Sequence, residues 1–197
     1  MARQRAFDRD AALDSAIHAF WRRGYEATSV AELTQVMGIR PPSLYAAFGD
    51  KMRLFEEAVT RYGATYGAFT VRAMAEEPTA RAAIERVLRE AATEYTDPAH
   101  PPGCLIVSGA ENCGPESTEA EELLRSFRTT SKAAMKARIE ADIHAGRLPA
   151  DTDAESLTAF YAAMIQGMSK QSRDGATREA LERVAELAMK AWPTPAS

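Results

Sequence analysis

The side chains best suited to chemistry in this chain are three histidines, His18, His100 and His144, and two cysteines, Cys104 and Cys113. The histidines stand on separate segments with no nucleophile beside any of them. The chain has no HExxH, no GxSxG and no glycine-rich phosphate loop. Catalysis therefore has no visible constellation, and the expectation is a non-enzyme with no cofactor and no metal. The cysteines are nine residues apart. On one straight helix that is about two and a half turns, which puts the thiols on opposite faces unless the chain breaks near Gly109. Soft thiolates favour Cu(I), so metal or redox sensing by Cys104 and Cys113 stands beside the alternative of two inert buried thiols. A denser polar set is Arg40, Ser43, Tyr45 and Lys51. Arginine offers paired donors, serine adapts, and tyrosine and lysine suit anionic oxygens.

The stretch Thr28 to Phe55 must position that set. Thr28 or Ser29 can cap a helix, and Ser29 to Glu32 has the capping-box spacing. Val30, Leu33 and Val36 or Met37 recur at helical period, and Gly38 ends the run. Pro41 and Pro42 suit the first turn of a second helix, Pro41 to Phe48, which is too short to stand alone. Leu44 and Phe48 face inward, leaving Arg40, Ser43 and Ala47 outward with Tyr45 at the edge. A short helix held across a packed one is the helix-turn-helix geometry that offers side chains to a DNA major groove. Arg40 and Ser43 are the base-edge candidates. Thr28, Tyr45 and Lys51 are the phosphate candidates, with Ser29 and Pro41 at the helix N-termini completing the set. Arg3 and Arg5 form a basic arm that is either a frayed end or a minor-groove contact.

Phe7 to Phe55 resembles the N-terminal domain of TetR-family transcription regulators. The resemblance lies in FDRDAALDSAIHAFWRRGYEATSVAEL, the GI before the turn, SLYAAFGDK and LFEEAV. PPGCLIVSGAENCGPES, IQGMSKQSRDGA and the final WP resemble a narrower branch that includes a copper-responsive repressor. Pro41-Pro42 and Ala46-Ala47 depart from many members, so base contacts do not transfer wholesale. The resemblance implies a homodimeric, effector-responsive DNA-binding regulator, with repression the commoner outcome. It also implies a four-helix interface built from the last two helices, 153–173 and 177–192. Tyr161, Ile165, Met168, Leu181, Val184, Leu187 and Trp192 are candidates for that interface; burial within one subunit explains the same stripe.

The 197 residues, 46% hydrophobic and 26% charged, suit a globular chain with a substantial core. The net charge of −4 divides unevenly. Residues 1–55 hold eight Arg or Lys against six Asp or Glu, while the remainder holds sixteen against twenty-two. An acidic body turned away from phosphate fits that split. MARQRAFDRD lacks the apolar run of a signal peptide, no stretch is long and apolar enough for a membrane span, and two cysteines make no disulfide framework. A cytoplasmic location is expected.

The remaining periodicity predicts an all-α chain of about nine helices; with the resemblance, it divides into a helix-turn-helix domain at 1–50 and a helical domain at 51–197 for which the resemblance implies effector binding and dimerisation. One continuous helix is expected from Lys51 to about Glu77, and a buried helix from Cys104 to near Gly114-Pro115. Capping boxes are expected at Thr118–Glu121 and Thr152–Glu155. Tyr62, Tyr66, Phe69, Leu88, Tyr95, Cys104, Val107, Phe127, Phe160 and Met164 could line an apolar effector pocket, although each alone is explained by plain core packing. The other function class weighed is a helical protein-interaction adaptor without DNA binding. It leaves the basic arm, the RPPSLY segment and the charge split without a common cause.

Overall fold

The computed structural model describes residues 7–111 and 113–194. Its helices are α1 Arg9–Arg23, α2 Val30–Val36, α3 Pro41–Phe48, α4 Lys51–Ala64, α5 Ala68–Glu76, α6 Ala80–Glu94, α7 Leu105–Ser108, α8 Thr118–His144, α9 Ala154–Arg173 and α10 Arg178–Met189. A 3-10 turn, Pro115–Ser117, leads into α8. No strand occurs among the described residues, as the helical periodicity implied. None of their helices is long and apolar enough to cross a membrane.

Local chemistry starts the first four helices. The Asp8 carboxylate accepts from the amides of Asp10 and Ala11 at the head of α1. Ser29 Oγ accepts from the Glu32 amide at 3.1 Å on α2, and Asp50 accepts from Arg53 at 2.9 Å on α4. Helix α3 has no side-chain cap and begins with Pro41. Packing holds it in place: Leu44 and Phe48 are buried against a core that includes Leu33, Leu54 and Phe55. Each buried side chain of that size contributes roughly 1.5–3 kcal/mol, enough to hold an eight-residue helix that could not nucleate alone. Met37, rather than Val36, turns inward.

The continuous helix expected from Lys51 to Glu77 is broken. Helix α4 ends at Ala64, and α5 begins at Ala68. The Thr65 hydroxyl bonds back to the Arg61 carbonyl at 2.8 Å, and the amides of Thr65 and Gly67 both reach the Tyr62 carbonyl. A Cβ on Gly67 would lie 3.3 Å from the Tyr62 ring, so the turn is fitted to glycine. This break accounts for a tenth helix among the described residues.

Helix α7 is a single turn ending at Gly109, well short of Gly114. Neither expected capping box in the body forms. The Thr118 hydroxyl bonds back to the Pro115 carbonyl, and Ser117 caps nothing with its side chain. The α9 cap falls one residue later than Thr152, on Asp153, which accepts from the amide and hydroxyl of Ser156.

Helices α1 and α3 pack on α4, α2 is held between α1 and α3, and α4 continues onto α8. The Arg61 guanidinium on α4 clasps Asp14 on α1 at 2.6 and 2.9 Å. Helix α6 packs on α5 and α10, and α9 lies across α8 and α10.

Candidate nucleic-acid interface and effector cavity

Helix α3 is presented outward. Arg40, Pro41, Pro42 and Ala46 are exposed, Ser43 is half-buried and Tyr45 is 50% exposed. Arg40 makes no ion pair with any described carboxylate, whereas Arg23 pairs with Glu32 at 3.1 Å. Ser29 is exposed, and because its oxygen accepts the α2 cap bond, its O–H is free to donate outward.

Thr28 is placed differently from the phosphate contact expected of it. It is fully buried, and its hydroxyl donates to the Gly24 carbonyl at 2.6 Å, closing the α1–α2 turn. Lys51 is half-buried at the start of α4, with its Nζ 4.2 Å from the centre of the Tyr25 ring. Burial pulls its pKa down, against weaker support from Glu26 and Cys113. Arg53, in the same first turn and exposed, escaped the sequence reading. Its spacing two residues after Lys51 was the available signal. Arg9 sits 4.3 Å from the Phe48 ring centre and bonds to the Ala47 carbonyl and Glu57, bracing the far end of α3. Arg3 and Arg5 lie outside the described residues.

A cavity of about 430 Å³ opens in the body. Tyr62 and Gly63 of α4, Phe69, Val71 and Met74 of α5, and Tyr95 after α6 form one side of its wall. Cys104, Ile106 and Val107 around α7, Phe127, Arg128, Lys132 and Met135 of α8, and Ala162 and Ile165 of α9 face them, with Gly67 and the polar Thr60, Thr70, Ser126, Thr130, Ser131 and Gln166 completing the lining. Six of the ten side chains anticipated there are present: Tyr62, Phe69, Tyr95, Cys104, Val107 and Phe127. Four are elsewhere. Leu88 is buried in the core of α6, and Met164 packs against the core outside the cavity wall. Phe160 is 37% exposed on the outer face of α9, its ring 5.0 Å from that of Tyr161. Tyr66 is swung away by the α4–α5 break. Burial raises the pKa values of Tyr62, Tyr95 and Cys104, so all three stay protonated at neutral pH.

The two thiols do not share a straight helix, because the chain does break at Gly109. Cys104 is enclosed with Tyr62 and Tyr95, while Cys113 lies near Glu26 and Lys51 at the edge of the head. Both are free, and burial raises the pKa of each. No group of three or more His, Cys, Asp or Glu among the described residues is placed to hold a metal ion.

Head and body meet at a seam that sequence spacing could not reveal. The His18 ring nitrogen lies 2.9 Å from the Tyr66 hydroxyl, and the His100 ring stacks on Trp21 at 4.5 Å. Two histidines from distant segments thus face one aromatic cluster. The Tyr25 amide donates to the Gly109 carbonyl at 2.7 Å, and Arg173 of α9 donates to the carbonyls of Trp21 and Arg22. The turn that ends α7 therefore touches the head directly, while the residues that begin α7 line the cavity.

Tyr161 and Met168 of α9, Leu181 of α10 and Trp192 just beyond it are buried within the subunit, with the Tyr161 hydroxyl donating to the Ala188 carbonyl. Ile165 faces the cavity. Leu187 is 67% exposed and Val184 half-buried, so only part of the anticipated interface stripe faces outward.

Comparison with known proteins gives a consistent result. Residues 12–58 match the sequence model of bacterial regulatory proteins of the tetR family, and residues 78–188 match the tetracyclin repressor-like C-terminal domain. The HTH-type transcriptional repressor ComR of Escherichia coli (strain K12) is 32% identical over 97% of this chain and 91% of its own length. The HTH-type transcriptional repressor BdcR of the same organism is 31% identical over 98% of this chain and 92% of its own. A solved structure of the TetR family transcriptional regulator CifR, a cysteine mutant complexed with 26bp double-strand operator DNA, is 44% identical. It covers 97% of this chain and 100% of that one, with a TM-score of 0.92.

Proposed function

Because this chain belongs to the tetR family of bacterial regulatory proteins, we propose that it is a cytoplasmic repressor that grips a palindromic operator as a homodimer and releases it when a small molecule fills the body cavity. The observation that carries this reading is α3, a proline-led helix whose apolar face is locked into the head while Arg40 and Tyr45 stand exposed and Ser43 is half-exposed beside them. Residues 1–50 form the reading head and 51–197 the sensing and pairing body.

In the operator complex, α3 lies in the major groove. Arg40 and Ser43 address base edges, while Tyr45, the Ser29 hydroxyl, Arg53 and the amides opening α4 hold phosphates. Pro41 fixes the entry angle of α3, and Lys51 adds its charge from beside Tyr25. One such helix reads a few base pairs, so two copies on successive major grooves supply the specificity. The paired copies meet through the outer faces of α9 and α10, where Phe160 on α9 and Val184 and Leu187, three apart on α10, supply the outward apolar side chains.

Release needs an effector with unequal affinity for two arrangements. Helix α7 is the shortest physical link between them: cavity wall at Cys104, Ile106 and Val107, and a direct bond to the head at Gly109–Tyr25. Gel shift with DNA upstream of the protein's own gene tests the proposal. Saturable binding by the native chain, lost in an Arg40→Ala, Ser43→Ala double variant, supports it. Binding that the double variant retains contradicts it.

A further inference from the structure

The cavity is electrically one-sided. Two cations, Arg128 and Lys132, line it, and no aspartate or glutamate does. They stand four residues apart on α8 and so share one face of that helix. Their neighbours are neutralised: Arg125 meets Glu121 at 3.0 Å and Lys136 meets Glu155 at 2.8 Å. Arg128 and Lys132 make no ion pair with any described carboxylate. One Arg128 nitrogen donates to the Ile106 carbonyl at 2.7 Å, and its other N–H groups have no described acceptor. Burial lowers the Arg128 pKa and the nearby Arg125 lowers it further, against weaker opposing pulls from Glu121 and Glu111, neither of which lines the cavity. A half-desolvated cation with no carboxylate in ion-pair contact is stabilised by an incoming anion.

The rest of the wall is largely apolar, with Phe69, Val107, Phe127 and Met135 prominent. At the enclosed end the Tyr62 hydroxyl is buried, and neither the Cys104 sulfur nor the Leu105 amide meets it with hydrogen-bond geometry. The volume falls in the range of small-molecule sites. We propose that the effector is an amphiphilic monoanion, a carboxylate on an apolar body, with its charged end held by Arg128 and Lys132 and its body running toward Tyr62. This rests on the reading of the chain as an effector-responsive regulator. A neutral amphiphile leaves the cations uncompensated, and a cationic one is repelled.

The test is calorimetric titration of the full chain with three probes of equal tail length below their aggregation limits: decanoate, decanol and decyltrimethylammonium. Decanoate is expected to bind at least about tenfold tighter than decanol, equivalent to about 1.4 kcal/mol, with the ammonium weakest. Lys132→Gln, at a side chain with no described bond, is expected to narrow the gap between decanoate and decanol while leaving decanol binding in place. Arg128→Gln is expected to narrow it further. Failure of decanoate to bind, equal or tighter binding of decanol or the ammonium, or an unchanged preference in both variants overturns the proposal. Operator binding, measured separately without probe, tests the regulatory reading, and its failure leaves the probe ranking intact.

Discussion

Arg40 takes the N-cap position of α3 and Tyr45 stands within it, and the proposed reading gives the two different work. An arginine at a base edge carries sequence preference, while a tyrosine at a phosphate carries affinity alone. Arg40→Ala is therefore expected to weaken operator binding by about 1–3 kcal/mol and to narrow the gap between operator and unrelated DNA. Tyr45→Phe should cost about 0.5–1.5 kcal/mol on both alike. Competition gel shifts separate the two patterns, and an unchanged preference in Arg40→Ala would remove that residue from base reading. His18 makes a second residue-scale expectation. Its pKa lies below the ordinary 6.5 because burial disfavours the charged ring, with repulsion from His100 and Arg22 outweighing a pull from Asp14. The unfolded chain then takes up a proton that the folded chain resists. Stability from this site is full above pH 6.5 and is lost as pH falls below it. Melting temperatures followed between about pH 8 and about pH 5 should decline toward acid in the native chain and decline less in His18→Gln. Equal slopes would show that the His18–Tyr66 contact does not govern the seam.

Helix α7 is one turn long, yet it joins the cavity to the head through the Gly109 carbonyl, which accepts from the Tyr25 amide. A Cβ there would fall 2.5 Å from the Leu105 carbonyl oxygen and 2.6 Å from the Leu105 side chain. Gly109→Ala is expected to destabilise the protein by about 1–3 kcal/mol, read as a lower denaturant midpoint at unchanged slope. An unaltered midpoint would mean that the turn yields freely and cannot transmit strain. Much at this scale was legible beforehand. The Ser29 cap, the Pro41 start and the inward Leu44 and Phe48 follow from spacing and local chemistry, and all appear as expected. The Lys51–Glu77 helix did not survive, because Thr65 and Gly67 break it through bonds to Arg61 and Tyr62 that no hydrophobic period encodes. The cavity was legible only in part for the same reason: the break carries Tyr66 away to His18 and Trp21. Thr28 reads as a surface cap in one dimension and becomes a buried turn residue once Gly24 folds beneath it. The cationic pair Arg128 and Lys132 gave no signal at all, since two exposed-looking charges on a helix usually face water.

At the scale of the whole molecule, the proposal requires two subunits whose reading helices face the same side of the DNA. The outer face of α9 and α10 is where they would join, and Leu187 is its most exposed large apolar side chain. A charge introduced there would be desolvated twice in a symmetric interface, once in each subunit. Leu187→Glu is expected to shift the sedimenting mass from about twice 21.5 kDa toward 21.5 kDa at micromolar concentration, with operator affinity falling alongside it. A variant that stays paired would place the interface elsewhere. The most direct measurement is hydroxyl-radical footprinting on the DNA upstream of the protein's own gene. Two protected half-sites on one face of the duplex are expected, centred about 34–36 Å apart or a multiple of that spacing, and vanishing together in Arg40→Ala, Ser43→Ala. A single protected patch, or protection that survives removal of both side chains, would contradict a paired reader built on α3.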